Sequence, residues 1–421
     1  MSRFIIQKGA PLKGRVRVSG AKNSVLPIIA ASLLPDGQSV IEDIPYLNDV
    51  KIMCDLLKSL GAEIEFSDNN TKLKVKPDRI INTIAPYELV NKMRASFLVM
   101  GPLLAKTGNA VISLPGGCAI GSRPVDLHLK GFAAMGTQIT QGHGYVEARV
   151  KGRLKGNRIY LDFPSVGATE NIIMAAVLAD GQTIIENAAT EPEIVDLATY
   201  LTSMGAEIKG AGTDTIKVNG VRELKGVNHA IIPDRIEAGT LMVAAAITGG
   251  DVVIENVLPD HLKPISAKLR EAGVEISEEL SSVHVTAADR IKAVDIKTHP
   301  YPGFPTDMQA QITALMTKAQ GTSMVIETIF ENRFMHVSEL KRMGANIKIE
   351  GRSAVIEGNE RLMGAKVKAT DLRAGAALII AALSAEDETE ITDIEHIDRG
   401  YVKIDEKLKS LGANISRVED D

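Results

Sequence analysis

Tryptophan is absent from this 421-residue chain, aromatic residues make up only 4% of it, and it has just two cysteines. Two cysteines in so long a chain cannot build a disulfide framework and fit a reducing compartment. No apolar run approaches the roughly eighteen residues of a membrane span, because Gly, Pro and charged residues interrupt each one. The first nine residues lack the long apolar core of a secretory signal. The cytoplasm is therefore the expected location, with no membrane insertion. Excess positive charge is missing too: 48 Lys and Arg stand against 53 Asp and Glu, a formal net charge of −5. Nucleic-acid binders carry a basic face or stripe, so nucleic acid is not an expected partner. Also absent are a Gly-x-x-x-x-Gly-Lys-Ser/Thr phosphate loop, a dinucleotide fingerprint between strand and helix, and any Cys/His metal spacing. A site on this chain must handle its ligand without a nucleotide-hydrolysis loop, and neither a metal nor a cofactor is expected.

What the chain has is a repeat. Leu60-Gly61-Ala62-Glu63-Ile64 returns around Gly136, Gly205, Gly273, Gly344 and Gly412, at intervals of 75, 69, 68, 71 and 68 residues. Each copy closes an amphipathic helix; in the first, Val50, Met53, Leu56, Leu57 and Leu60 form the apolar face, and Gly61 stands where a left-handed C-cap belongs. About 40 residues upstream of each glycine lies a second helix of small apolar residues, spanning 23–34, 94–105, 169–179, 235–246, 307–317 and 371–383. These are apolar nearly all round and must be buried on most sides. Strands follow them, for example over 38–42, 182–186, 251–255 and 322–327. The chain is too long for one ordinary core. Six units predict an α/β fold of two domains with three units each, over 22–229 and over 1–21 plus 230–421. The opening strand, 4–8, is expected to pair with the far end of the chain.

The buried helices open on polar residues: Lys22 and Asn23, Arg94, Thr169-Glu170-Asn171, Arg235 and Glu237, Asp307 and Gln309, Asp371 and Arg373. Helix N-termini offer unpaired N–H groups and a positive dipole end. Aimed at a shared cleft, and joined there by Lys22, Arg94, Arg123, Arg333, Arg373 and Arg399, they would attract a small, multiply anionic ligand.

Two further stretches carry chemistry. Leu114-Pro115-Gly116-Gly117-Cys118-Ala119-Ile120-Gly121-Ser122-Arg123 puts a thiol on a Gly-rich loop, with an arginine five residues on that favours the thiolate. In Tyr301-Pro302-Gly303-Phe304-Pro305-Thr306-Asp307, two prolines and a glycine lead rigidly into a helix, with Thr306 or Asp307 as the expected N-cap. Asp307 either caps only or, as a buried carboxylate with no fixed partner, acts as a general base. The other cysteine, Cys54, falls on the helix over 50–60 and reads as core.

At these segments the chain resembles the UDP-N-acetylglucosamine enolpyruvyl transferases. The motifs that carry the resemblance are GAKNSVLP, LPGGCAIGSRPVDLHL, SVGATEN, FPTDMQAQ, FENRFMH, ATDLRA and HIDRGY, and it runs from about Phe4 to the final helix. It implies two inverted, inside-out barrel-like α/β domains with buried helices and outer sheets, and an active site in the cleft between them. It implies transfer of the enolpyruvyl group of phosphoenolpyruvate to the 3-hydroxyl of UDP-N-acetylglucosamine by addition and elimination. Phosphate is released, in the first committed step of peptidoglycan synthesis. By the same resemblance, Lys22, Arg123 and Arg399 hold the substrate phosphate, Arg333 and Arg373 sit near its carboxylate, and Asn23 touches the tetrahedral centre. Cys118 is the acid that protonates the vinyl carbon and the thiol that fosfomycin alkylates. Asp307 takes the proton of the attacking hydroxyl, and Asp371 supports elimination. Arg94, Arg123, Pro124, Val125, Asp126, Leu127, Ser165, Val166, Gly167, Asp307 and Ile329 line the UDP-sugar. One departure stands out: where some relatives carry Lys two residues before Ser165, this chain has Phe163, so no diphosphate contact is expected there.

Two other readings remain. The sibling family that acts on shikimate 3-phosphate shares the six repeats but should lack the Cys118 loop. A non-catalytic UDP-sugar-binding protein on this fold should have lost Cys118, Asp307 or the arginines, and none is lost.

Overall fold

The structure is a computed structural model that describes residues 2–77, 80, 82–114, 125–142, 144–287, 290–359 and 361–419. The described residues fall into two compact units, one drawn from Gly20–Gly117 and Arg123–Ile232, the other from Met1–Ser19 and Pro233–Asp421. Among the described residues the backbone therefore passes from one unit to the other twice, before Gly20 and after Ile232.

The repeated glycine is a backbone requirement. Gly61, Gly136, Gly205, Gly273, Gly344 and Gly412 all have φ between +88° and +110°, a region that a Cβ makes unfavourable. Gly61 ends helix Asn48–Leu60 in the left-handed conformation, with its N–H on the Lys58 carbonyl. The chain then reverses into strand Glu63–Ser67, which pairs antiparallel with Lys72–Lys76. Five more copies of this helix, turn and strand follow.

Each unit carries three four-stranded sheets among the described residues. In every sheet an edge strand runs parallel to its neighbour and two further strands complete it in antiparallel fashion, as in Asn228–Ala230, Ser39–Glu42, Lys72–Lys76 and Glu63–Ser67. The sixth repeat ends with strand Asn414–Glu419, and no strand follows it among the described residues. The N-terminal strand Ser2–Gln7 takes that place, antiparallel to both Asn414–Glu419 and Glu388–Thr392. The expected pairing of the opening strand with the far end is what is observed.

Sheet strands alternate buried and exposed residues, as sheets with one wet face do. The buried faces rest on the apolar helices. In the first unit these are Lys22–Ala31, Met100–Thr107 and Val166–Ala176; in the second, Arg235–Ile247, Gln309–Met316 and Leu372–Ser384, which pack pairwise on one another. Leu372–Ser384 is buried from Arg373 to its last residue. The helix expected over 94–105 departs from expectation: Arg94–Val99 is a 3-10 segment, and the α-helix starts at Met100. Pro102 has no N–H to give the Leu98 carbonyl, so one i→i−4 bond of a regular helix is missing in that turn.

Candidate active site

In the unit holding Lys22, that residue begins helix Lys22–Ala31, and its ammonium pairs with Asp49 at 2.8 Å, the carboxylate almost wholly buried. Asn23 beside it is exposed. The first turn is fixed from below. Ser24 donates to Asp196, whose other oxygen bonds Nε2 of His229 at 2.8 Å. The Ile232 N–H also reaches Asp196, at 3.3 Å.

Of the residues expected to line the UDP-sugar, Arg94 and Gly167 lie near His128. Val125 and Leu127 are buried and Asp126 is exposed at the start of helix Asp126–Ala134. Ser165 caps helix Val166–Ala176 through the Ala168 N–H. Gly167 lies so close to His128 that a Cβ there would stand 3.3 Å from the ring. Phe97 meets the ring edge-on at 5.2 Å. Burial, seconded by the Arg94 charge, lowers the His128 pKa to about 3. Cys118, Arg123 and Pro124 lie outside the described residues. Phe163 is exposed.

In the other unit the sequence-predicted groups converge more tightly. Asp307 does not cap its helix, nor does Thr306. The cap position of the 3-10 turn Thr306–Met308 is Pro305, in extended conformation. Nor is Asp307 without a fixed partner: Oδ1 accepts from Arg333 at 2.7 Å and Oδ2 from Arg373 at 2.9 Å. Burial acts to raise the carboxyl pKa, but the Arg373 and Arg333 guanidiniums and their hydrogen bonds outweigh it and hold the group well below the usual carboxylate range. Both arginines are buried, with side chains 5% exposed.

Each arginine has its own support. Arg373 donates to the Tyr401 hydroxyl at 3.2 Å and is positioned by the start of helix Leu372–Ser384, where Asp371 caps the Arg373 and Ala374 N–H groups. Arg333 donates to Thr306 Oγ1 at 3.0 Å, and that hydroxyl donates to Glu327 at 2.8 Å. The other Glu327 oxygen accepts from Thr298 and from the N–H groups of Ile329 and Phe330. One buried carboxylate thus ties the Ile329 turn to the Asp307 pair. Arg399, half-buried, follows helix Glu395–Asp398. Gly375 and Gly400 let that helix dock on Leu372–Ser384, because a Cβ on the first would strike Ile397 and on the second Leu372.

Sequence reasoning missed Asp49, Asp196, His229, Glu327 and the linking roles of Tyr401 and Thr306. Their side-chain partners lie 21 or more residues away in sequence, and no spacing rule connects them. His336 was quoted within a motif but given no role. It is buried, its pKa lowered by that burial to about 4, and its Nε2 has no hydrogen-bond partner among the described residues.

The fold and this cluster define an enolpyruvyl transferase framework. A solved structure of the enolpyruvyl transferase NikO from Streptomyces tendae superimposes with a TM-score of 0.90, at 24% identity, covering 100% of this chain and 99% of that one. EPSP synthase from Acinetobacter baumannii follows with a TM-score of 0.79 at 21% identity over the full length of both chains. The family model of EPSP synthase (3-phosphoshikimate 1-carboxyvinyltransferase) matches residues 6–408, and the chain belongs to that family. Within it, the chain is 68% identical over 416 residues to UDP-N-acetylglucosamine 1-carboxyvinyltransferase 1 of Caldanaerobacter subterraneus subsp. tengcongensis, covering 99% of each. It is 60% identical to UDP-N-acetylglucosamine 1-carboxyvinyltransferase 2 of Carboxydothermus hydrogenoformans over the whole of both chains.

Proposed function

We propose that the chain transfers the enolpyruvyl group of phosphoenolpyruvate to the 3-hydroxyl of UDP-N-acetylglucosamine and releases phosphate, the first committed step of peptidoglycan synthesis. The observation that carries this reading is the Asp307 carboxylate between two buried guanidiniums. It combines a proton acceptor with cations suited to a small dianionic or trianionic substrate. The identity of 58–68% to relatives named for this reaction supports the choice of acceptor.

In the addition step Asp307 takes the proton of the sugar hydroxyl as its oxygen bonds to C2 of phosphoenolpyruvate. Cys118 delivers a proton to C3, which becomes a methyl group. Lys22, Arg123 and Arg399 bear on the phosphate, Arg333 and Arg373 on the carboxylate, and Asn23 on the new tetrahedral carbon. In the elimination step C3 loses a proton, the C2–O bond to phosphate breaks and the vinyl group re-forms, with Asp371 in support. Arg94, Arg123, Pro124, Val125, Asp126, Leu127, Ser165, Val166, Gly167 and Ile329 hold the UDP-sugar. Fosfomycin, an epoxide, is expected to alkylate Cys118. The cytoplasm is the proposed location; no helix among the described residues is long and apolar enough to cross a membrane.

The test is phosphate release from phosphoenolpyruvate. It should require UDP-N-acetylglucosamine and should not occur when shikimate 3-phosphate replaces it. No release with both substrates present refutes the reading, and release with shikimate 3-phosphate moves the chain to the sibling activity.

A further inference from the structure

Asp307 makes one contact with each of two arginines, and a hydroxyl holds the other terminal nitrogen of each. Arg373 gives one terminal nitrogen to Asp307 and the other to Tyr401. Arg333 gives one terminal nitrogen to Asp307 and the other to Thr306, and its Nε is buried with no partner among the described residues. A second carboxylate arriving at this pair finds all four terminal nitrogens already engaged, while Nε of Arg333 is buried without a partner among the described residues. A paired contact needs a terminal nitrogen of the guanidinium, so an incoming carboxylate competes with Asp307 for the nitrogens that Asp307 holds. No other carboxylate hydrogen-bonds either guanidinium among the described residues: Glu327 reaches Arg333 only through Thr306, and Asp371 is engaged with backbone N–H groups.

We propose that the Asp307 carboxylate occupies, in the free enzyme, the seat on Arg333 and Arg373 that the carboxylate of phosphoenolpyruvate takes over, and that this exchange is what releases Asp307 to act as a base. The inference rests on the reaction proposed above. Its physical basis is competition between two like charges for one pair of cations. While clamped, Asp307 is a poor proton acceptor, since both guanidiniums favour its ionised form. Once the substrate carboxylate shares or takes those guanidiniums, the Asp307 oxygens face a reduced positive field and a new negative neighbour. Both changes raise its affinity for a proton. The base is thus switched on by the substrate whose double bond is about to be attacked, and the sugar hydroxyl is not deprotonated when that substrate is missing. No covalent bond changes in the exchange; one ion pair is traded for another.

The test is the affinity of D307N for phosphoenolpyruvate, measured by calorimetry with and without UDP-N-acetylglucosamine. Removing the resident negative charge while keeping the side-chain shape should tighten binding about tenfold or more, even though turnover is lost. Unchanged or weaker binding overturns the proposal. A measurement on the native protein guards against a folding defect: with aspartate labelled at the carboxyl carbon, the infrared carboxylate band that D307N lacks should shift when phosphoenolpyruvate is added. A band that does not move also overturns it. The two claims separate cleanly. If D307N binds more tightly yet turns over normally, the exchange stands and the base assignment fails. If turnover is lost without tighter binding, the base assignment stands and the exchange fails.

Discussion

Asn171 donates from its side-chain nitrogen to Nδ1 of His128 at 3.1 Å, and this bond fixes the imidazole as an acceptor at that nitrogen. The amide cannot be turned round, because its oxygen accepts from the Gly101 N–H at 2.7 Å and its nitrogen also donates to the Phe97 carbonyl at 3.0 Å. His128 is therefore neutral, with its proton on Nε2, on the side where Gly167 packs.

From this follows a pH dependence. The His128 pKa is about 3 in the folded chain, against 6.5 for an ordinary imidazole, so the unfolded chain binds the proton first as pH falls. Stability contributed by His128 is full above pH about 6.5 and is lost as pH falls toward 3, at up to about 1.4 kcal/mol per pH unit. His336, also buried and lowered to about 4, acts in the same direction. In an NMR titration of the imidazole protons, neither residue should titrate between pH 8 and 5. A midpoint near 6.5 for His128 would contradict the assignment.

Glu327 is expected to matter beyond its own burial. In E327Q the amide nitrogen faces Thr306, whose hydroxyl then has no carboxylate to donate to, and Arg333 loses part of its support. A stability loss of about 1–3 kcal/mol should appear as a lower denaturant midpoint. Turnover should fall more than the affinity for UDP-N-acetylglucosamine, since the Ile329 and Phe330 N–H groups can still donate to the remaining oxygen. Equal loss of both would mean the residue only holds the fold.

For the thiols the expectation is selective. C118S should cut turnover severely and abolish covalent labelling by fosfomycin, read by intact mass. Full inactivation of that variant by the drug would point to another target residue. Cys54 should remain unlabelled in the native enzyme, since burial raises its thiol pKa to about 12 and leaves almost no reactive thiolate.

The architecture was legible where it depends on local rules. Six glycines at a near-constant interval marked six left-handed turns, and helices without a polar face marked the buried layer; both are properties of short windows of sequence. The pairing of Ser2–Gln7 with strands at the other end of the chain was legible because a strand stands before the first buried helix, outside the six repeated units. The site was legible as residue types and motifs but not as contacts. Asp307 could be read as cap or base from its position after two prolines. Its clamp by Arg333 and Arg373, 26 and 66 residues away, depends on how three elements pack. The same holds for Asp49 beneath Lys22 and for the Glu327 link. Nothing in a local window signals that a buried cation has already found its carboxylate.

The central claim is a transfer by addition and elimination, in which C3 of phosphoenolpyruvate passes through a methyl group. The most direct measurement is to run the reaction in deuterium oxide and examine the enolpyruvyl product by proton NMR and mass spectrometry. Protonation at C3 from an exchangeable acid, followed by loss of one of three hydrogens, predicts deuterium in the vinyl group of the product. A product that forms with phosphate release but carries only protium at that carbon would contradict the account.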